Sequence, residues 1–332
     1  MSGELILVTG VTGYIGAWTA EELLKKGYRV RGTSRSVEKA DFLKQRWSQY
    51  GDKFEVVEVK DLVQDGAFDK AVAGVDGIMH IASPFHFNVQ DPYKDLIDPA
   101  VKGTKSLLEA AHKHGDKVKR VIVTSSFAAM MEPHDAGYEF TEEDWNHDSI
   151  NHLDNPMHAY LASKSEAEKA AWKFIETEKP KFELAVINPV YVFGPYIHQV
   201  KDAESINTSV GLVFNYLSGN ATDVQVNQPT DPTFYVDVRD IAEAHIKAYE
   251  VKEAAGQRFI CTGGPFTYQQ IADVLRKEYP ELKDIPEGQP GKNYEVGVKA
   301  SNERAKKVLG INFISLEQSI KDTAVDLKKQ FL

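Results

Sequence analysis

The sequence predicts an α/β fold, in which a doubly wound parallel sheet is joined to a smaller C-terminal α/β lobe. Short apolar strands alternate with amphipathic helices as far as Pro189, and a glycine-rich turn joins the first strand to the first helix. Alternating strands and helices of this kind require a parallel sheet that helices cover on both faces. The alternation is lost after Pro189, so a second and smaller unit is expected to begin there.

Apolar runs place the strands of the first unit at 5–10, 28–34, 54–59, 75–83, 118–126 and 182–189. Helices are expected between them at 14–27, 98–114 and 156–178. The stretch from Glu132 to Leu153 is polar and acidic, and it is expected to form a loop. These elements follow one another in the order that a parallel sheet with crossover helices needs.

Beyond Pro189 the pattern is less regular. Residues 190–209 are loop-like, 233–250 resume a strand and a helix, and 257–264 form another short strand. Thr267 is a plausible N-cap for the next helix, and about seventy residues at the end are expected to be mostly helical. The predicted division places residues 1–190 and 234–262 in the sheet-based unit and residues 191–233 and 263–332 in the smaller lobe.

Composition excludes several classes of function. The chain has 332 residues, of which 42% are hydrophobic, and a formal net charge of -10, which argues against a nucleic-acid partner because such sites carry a basic excess. The single cysteine, Cys261, excludes an intramolecular disulfide and a cysteine-based zinc site. No apolar run is long enough for a membrane span, and the histidines show no ligand spacing, so we expect a cytoplasmic protein without a metal or a membrane partner.

The turn after the first strand carries glycines at positions 10, 13 and 16, a GxxGxxG spacing. Glycines between a strand and a helix let backbone N–H groups approach a pyrophosphate at the helix N-terminus. The spacing alone is a weak signal, and Gly10 could serve only as a turn. Its position after the first strand and before a helix predicts a dinucleotide site in a Rossmann fold.

The end of the second strand predicts which dinucleotide is bound. An acidic residue usually holds the adenosine ribose at this point, but the sequence reads Gly32, Thr33 and Ser34, with Arg35 and Lys39 after them. A guanidinium and an ammonium suit the 2′-phosphate of NADPH, although both could be solvated surface charges. After the third strand, Asp61 and Leu62 are expected beside the adenine ring; alternatively, Asp61 only caps the next helix.

The helix over 156–178 places Tyr160 and Lys164 four residues apart, so that both side chains lie on one face. A nearby ammonium lowers the pKa of a phenol, and such a tyrosine can give a proton to a carbonyl oxygen. Ser126, at the end of the 118–126 strand, can hold that oxygen; Ser125 is the competing residue, because strand alternation points only one of the two into the cleft.

Taken together, these motifs resemble the extended short-chain dehydrogenases/reductases. Within that group, "SRSVEK", "HIASPF" and "NPVYVFGP" resemble the dihydroflavonol-reductase-like branch, and the likeness is greatest to fungal NADPH-dependent methylglyoxal, aldehyde and ketone reductases. One departure is Ala100, where many extended members carry Asn, so an Asn-assisted proton relay is not expected. The resemblance implies that NADP is bound by Gly10, Val11, Thr12, Gly13, Tyr14, Ile15, Gly16, Arg35, Lys39, Asp61, Leu62, Ala82, Tyr160, Lys164, Pro189, Val192 and Ser209.

Three functions are compatible with this scaffold: a carbonyl reductase, a sugar-nucleotide epimerase or dehydratase, and a non-catalytic NADP-sensing protein. Phe127, Ala128 and Ala129 follow Ser126 and offer none of the extra acid/base groups that a dehydratase needs, so a reductase is expected. Its partner would be a small, neutral carbonyl compound, while the oligomeric state, monomer or homodimer, stays open. Aromatic residues next to the motifs predict an apolar substrate pocket formed by Phe85, Phe127, Tyr191 and Tyr196.

Overall fold

The computed structural model describes residues 3–83, 89–226, 233–292 and 297–332. Its main sheet has seven parallel strands: β1 (Leu5–Val8), β2 (Arg29–Ser34), β3 (Phe54–Glu58), β4 (Gly77–His80), β5 (Arg120–Thr124), β7 (Glu183–Pro189) and β10 (Arg258–Cys261). Their order across the sheet is β10-β7-β5-β4-β1-β2-β3. The order reverses between β1 and β4, and in such sheets ligands bind at the carboxyl ends of the strands beside this point.

Helices cover both faces of this sheet, as the strand sequences require. The helices are α1 (Tyr14–Lys25), α2 (Asp41–Arg46), α3 (Asp69–Val72), α4 (Asp98–His114), α5 (Pro156–Glu178), α6 (Thr208–Leu217), α7 (Asp223–Val226), α8 (Val238–Glu250), α9 (Tyr268–Glu278) and α10 (Leu316–Phe331). On β1, Ile6 and Val8 face a core shared with α1 and α8. Leu5 and Leu7 face the opposite core, beneath α4 and α5. Because all four side chains are buried, β1 is a continuous apolar run.

A second sheet of three strands lies in the smaller lobe. It consists of β8 (Tyr191–Phe193), β9 (Phe234–Asp237) and β11 (Gly264–Pro265), in the order β11-β9-β8. The expectation of a loop over 190–209 is therefore wrong at β8, whose apolar residues pair with β9, and at Thr208, where α6 begins. The predicted division placed 234–262 with the main sheet; β9 lies in the small sheet, whereas β10 lies in the main one.

The acidic segment 132–153 is mostly irregular, as predicted, but it contains a short strand, β6 (Glu139–Phe140). This strand pairs with β12 (Lys299–Ala300) from the C-terminal segment. The expectation of a mostly helical C-terminus is correct only at α9, α10 and a π turn over Ala305–Leu309; the described residues between α9 and that turn are largely irregular. The predicted fold class, a Rossmann sheet with a smaller lobe, is confirmed.

Candidate active site

The glycine loop leaves no space for side chains. A Cβ atom at Gly16 would lie 2.3 Å from the carbonyl oxygen of Gly10, and one at Gly10 would lie 3.1 Å from the Cα of Ala82. Gly10 also has a φ of +65°, which favours glycine. Gly13 is the N-cap of α1 and is exposed, and no side chain caps the helix. The N-terminal amides of α1 are thus left for an anionic ligand.

The other predicted loop residues fix this turn from within. Val11 is fully buried and packs against Gly32, where a Cβ would lie 2.5 Å from a Val11 methyl. The Tyr14 hydroxyl is buried and donates to the Gly194 carbonyl at 2.6 Å. Of the four side chains in the loop, those of Thr12 and Ile15 are partly accessible. Tyr14 and Val11 can therefore contribute to a cofactor site through their backbone alone.

The end of β2 supports the glycine loop, and the cationic side chains that follow the strand are exposed. Thr33 accepts a hydrogen bond from the Gly10 amide at 3.2 Å and, through its carbonyl, one from Val11 at 3.1 Å. The Ser34 hydroxyl is buried and has no hydrogen-bond partner among the described residues. Arg35 and Lys39 are exposed, and neither forms an ion pair within the described chain. This set of an unpaired hydroxyl and two cations without an acidic residue fits a phosphate group.

The remaining predicted cofactor residues lie in different elements and differ in their degree of burial. Asp61 is exposed and accepts a hydrogen bond from the Val63 amide at 3.0 Å, so its local role is to close a turn. Leu62 packs on the core under α4. Pro189 ends β7, Val192 is buried in β8, and Ser209 lies in the first turn of α6.

Helix α5 presents Tyr160 and Lys164 to the end of the sheet. The helix is fixed at its start by Asn155, whose side chain accepts from the Met157 amide at 2.8 Å, with Pro156 in the first position, as the sequence predicts. Burial raises the pKa of Tyr160 above its usual value of 10.0, although a hydrogen bond with Ser126 acts in the opposite direction. The sequence predicts a lowered pKa; the net shift is instead upward, because burial outweighs the influences that favour the phenolate.

The Lys164 ammonium lies beside the Tyr160 ring. Its Nζ donates to the Ser83 hydroxyl at 2.9 Å and lies 5.7 Å from the centre of the Tyr160 ring. Burial lowers the pKa of Lys164 to about 8. The buried phenol is therefore protonated at neutral pH, and the ammonium is near enough to stabilise a phenolate formed from it. Ser83 was missed at the sequence level, because nothing in its spacing relates it to Lys164.

The two neighbouring serines after β5 point to different environments. The Ser126 hydroxyl accepts a hydrogen bond from the Ala128 amide at 3.2 Å and is hydrogen-bonded to the Tyr160 side chain. Ser125 lies on the other side, against a cavity of about 20 Å³ that His80 and Lys164 also line. Its hydroxyl is buried without a partner among the described residues. Of the two candidates, Ser126 is thus the one beside Tyr160.

A buried ion pair, which sequence reasoning missed, supports this arrangement. The Glu168 carboxylate lies two turns after Tyr160 on α5. It accepts hydrogen bonds from the Arg258 Nε at 2.5 Å and from the side-chain amide of Asn188 at 2.8 Å. The same Asn188 amide donates to the Ser126 carbonyl at 3.2 Å. Breaking a buried pair of this kind costs about 3–5 kcal/mol. The network joins α5, β7 and β10 directly beneath Ser126.

Of the four residues predicted to form an apolar pocket, the three that the structure describes lie in different surroundings. Phe127 is buried in the core, with ring centres 5.2 Å from Phe140 and 5.5 Å from Phe234. The Tyr196 hydroxyl donates to Gln330 on α10 at 2.6 Å. Only Tyr191 faces an open cavity. Phe85 lies outside the described residues.

Within the described chain, no helix is long and apolar enough to cross a membrane. In the same residues, no group of three histidine, cysteine or acidic side chains is placed to hold a metal ion.

Comparisons with known proteins agree with this geometry. Residues 6–261 match the NAD dependent epimerase/dehydratase family. The chain is 38% identical to the NADPH-dependent methylglyoxal reductase of Saccharomyces cerevisiae and 37% identical to a ketoreductase of Aspergillus niger, with 98% of each chain covered in both cases. The crystal structure of yeast methylglyoxal/isovaleraldehyde reductase in complex with NADPH superposes with a TM-score of 0.88, at 36% identity and 98% coverage of each chain.

These matches cover the glycine loop, Ser126, the Tyr160/Lys164 pair and the smaller lobe. They confirm the resemblance to fungal reductases within the extended short-chain dehydrogenases/reductases. The chain therefore belongs to the NAD dependent epimerase/dehydratase family, as a relative of the fungal methylglyoxal reductases.

Proposed function

We propose that this protein is an NADPH-dependent carbonyl reductase that converts a neutral aldehyde or ketone to an alcohol. The observation that carries the proposal is the cluster of Ser126, Tyr160 and Lys164 at the carboxyl end of a parallel sheet, beside a glycine loop suited to a dinucleotide. Relatives of the chain named as NADPH-dependent reductases support the same reaction class. The chain is thus an oxidoreductase acting on carbonyl and alcohol groups.

We infer the cofactor contacts from the residues that line the cleft. The amides at the start of α1 would hold the pyrophosphate, and Arg35 with Lys39 would hold the 2′-phosphate beside the unpaired Ser34 hydroxyl. Lys164 would hold the nicotinamide ribose. In this proposal the main sheet and its helices bind the cofactor, while the smaller lobe, to which β9 belongs, binds the substrate. When bound, NADPH supplies the hydride that reduces the carbonyl carbon.

The residues of the chain supply the proton and the oxygen site. Ser126 holds the carbonyl oxygen through its hydroxyl, next to Tyr160. As negative charge grows on that oxygen, Tyr160 donates its hydroxyl proton and becomes a phenolate. A raised pKa keeps Tyr160 protonated before the reaction, which a proton donor requires. The Lys164 ammonium, whose pKa is lowered to about 8, is still charged at neutral pH and stabilises the phenolate.

The alternatives are less well supported. A dehydratase needs further acid/base groups beside Tyr160, but Phe127, Ala128 and Ala129 are buried apolar residues. A silent NADP sensor would not need a tyrosine hydrogen-bonded to a serine at the reacting end of the cleft. The reductase accounts for all three side chains with one reaction.

The proposal is tested by replacing Tyr160→Phe, which removes the proton donor and keeps the ring. NADPH oxidation in the presence of a panel of aldehydes and ketones should lose on the order of 10²–10⁴ in kcat, while NADPH affinity, measured by fluorescence titration, should stay within about twofold of the wild type. If the variant keeps most of its activity, Tyr160 is not the proton donor.

A further inference from the structure

The substrate lobe contains an open cavity of about 530 Å³ between β8, α6 and the start of α9. Of the residues that the sequence predicts for the site, only Tyr191 lines it. The volume lies within the range of about 300–1,000 Å³ typical of small-molecule sites. A carbonyl compound with a sizeable arm therefore has room in this lobe.

Tyr191 connects the cavity to the reacting centre. Burial raises the pKa of Tyr191, and the phenols of Tyr268 and Tyr160 are close enough to raise it further. Tyr160 is the proposed proton donor, and Tyr268 lines the cavity. The Tyr191 ring packs edge-on against buried Phe266, with ring centres 5.9 Å apart. Tyr191 thus lines the cavity two residues after the carboxyl end of β7, which pairs with β5, the strand that precedes Ser126.

Several polar side chains that line this cavity form no hydrogen bond with the described residues. Within the described chain, the side chains of Tyr191, Glu204, Thr208 and Asn215 form no hydrogen bond, although all four line the cavity. By contrast, Asn220 at its edge donates to the Ser218 hydroxyl at 2.9 Å. Side chains that are not used to hold the fold are free to bind a ligand, and amide and hydroxyl groups recognise hydroxyls in both directions.

The charge of the lining restricts the ligand further. Glu204 is the one charged side chain among the described lining residues, and it is acidic. A carboxylate or phosphate in this cavity would therefore meet repulsion and no counter-charge. A hydroxyl group can donate to Glu204 and both donate to and accept from Asn215.

We infer that this cavity is a polar subsite for the hydroxyl-bearing arm of an uncharged aldehyde or ketone, with Asn215 and Thr208 as its main hydrogen-bonding residues. The inference rests on the proposed function, because it locates the arm of the same carbonyl substrate. It replaces the apolar arm that the sequence predicts: Phe127 packs in the core and Tyr196 bonds to α10, so neither lines the cavity.

The test is a comparison of kcat/KM for matched pairs of aldehydes of equal chain length, with and without hydroxyl groups at the far end. The wild type should prefer the hydroxylated member by about 3- to 10-fold for each hydrogen bond gained. Asn215→Leu, of similar shape, should abolish that preference and leave the shortest aldehydes unchanged. Asn215→Gln should retain part of the preference, and Asn151→Leu, an exposed site away from the cavity, should retain all of it.

A second arm of the experiment tests the charge. Glu204→Lys should raise kcat/KM for carboxylate-bearing aldehydes by about 3- to 10-fold relative to neutral ones, since it reverses the one charge among the described lining residues.

Equal kcat/KM values for the two members of each pair in the wild type would overturn the inference, as would an unchanged preference in Asn215→Leu. Reduction of short aldehydes in the same assays would show that the proposed function stands without it. If the wild type reduces neither member with NADPH, the proposed function fails and the inference fails with it.

Discussion

The cleft proposed for the cofactor and the cavity proposed for the substrate are built in different ways. In the cleft, backbone atoms and glycines are packed so closely that a Cβ at Gly16 would lie 2.3 Å from a carbonyl oxygen. In the cavity, the lining includes exposed side chains on α6, such as Asn215 and Thr208. Substitutions in the cleft should therefore remove activity, whereas substitutions in the cavity should change which substrate is preferred.

The largest difference is expected between the two serines at the boundary of these regions. Ser126→Ala removes the hydroxyl beside Tyr160 and should lower kcat on the order of 10²-fold, the usual cost of losing one donor at a developing oxyanion. Ser125→Ala is the matched control, since its hydroxyl makes no hydrogen bond to the described residues, and it should keep kcat within about threefold. Steady-state kinetics at saturating NADPH distinguish the two; a reversed order would assign the oxygen site to Ser125.

A pair of glycine substitutions compares the regions directly. Gly16→Ala forces a methyl group onto the Gly10 carbonyl and should weaken NADPH binding by more than about 10-fold. On α6, the corresponding Cβ at Gly211 would lie 3.9 Å from Ile206, so Gly211→Ala should keep NADPH affinity and raise stability by up to about 1 kcal/mol. Fluorescence titration and thermal unfolding measure both effects. Equal losses of affinity would show that the loop is less constrained than its packing indicates.

Removing one cation should have a smaller and more selective effect. Arg35→Ala should raise the KM for NADPH by about 10- to 100-fold, the range for a charge-assisted hydrogen bond, and leave the KM for NADH nearly unchanged. Arg29→Ala, exposed at the start of β2, is the control and should alter neither. Wild-type activity that is equal with the two cofactors would contradict the 2′-phosphate site.

The most gradual expected effect is a dependence on pH, which is small close to pH 8. The pKa of Lys164 is lowered to about 8 by burial, so the ammonium is present below that pH and is lost as the pH rises through it. Because the ammonium stabilises the Tyr160 phenolate, kcat should fall by up to about 10-fold for each pH unit above 8. A pH profile of kcat measures this. A rate that is flat from pH 7 to 10 would show that the charge on Lys164 is not needed.

The contrast between the two regions also explains how much of the site can be predicted from the sequence. The glycine loop and the Tyr160/Lys164 pair are local patterns, fixed by helix and turn geometry over a few residues. The Ser83 partner of Lys164 is 81 residues away, and Glu168 is 90 residues from Arg258. Such contacts depend on the tertiary fold, which residue spacing does not report. Phe127 shows the opposite error, since its position next to Ser126 in the chain does not bring its ring into the cleft.

The secondary structure of the smaller lobe was predicted least well, again because it depends on contacts that are distant in the sequence. Strand β8 is only three residues long and lies next to a proline and a glycine. Alternation indicates a strand only over about four or more residues, so the β8 sequence is too short to predict one. Its pairing with β9, more than forty residues later, is what makes it a strand. The polar cavity depends on the same pairing, because β8 carries Tyr191.

The central claim, net transfer of a hydride to a carbonyl carbon, is tested by NADPH that carries deuterium at the transferable C4 position. Wild-type protein and a neutral aldehyde should consume one NADPH for each alcohol formed, and mass spectrometry should find the deuterium on the carbinol carbon. Tyr160→Phe should slow this transfer without changing where the deuterium is found. An absence of net NADPH oxidation, or an alcohol without deuterium, would contradict the account, and the first of these results would favour an epimerase.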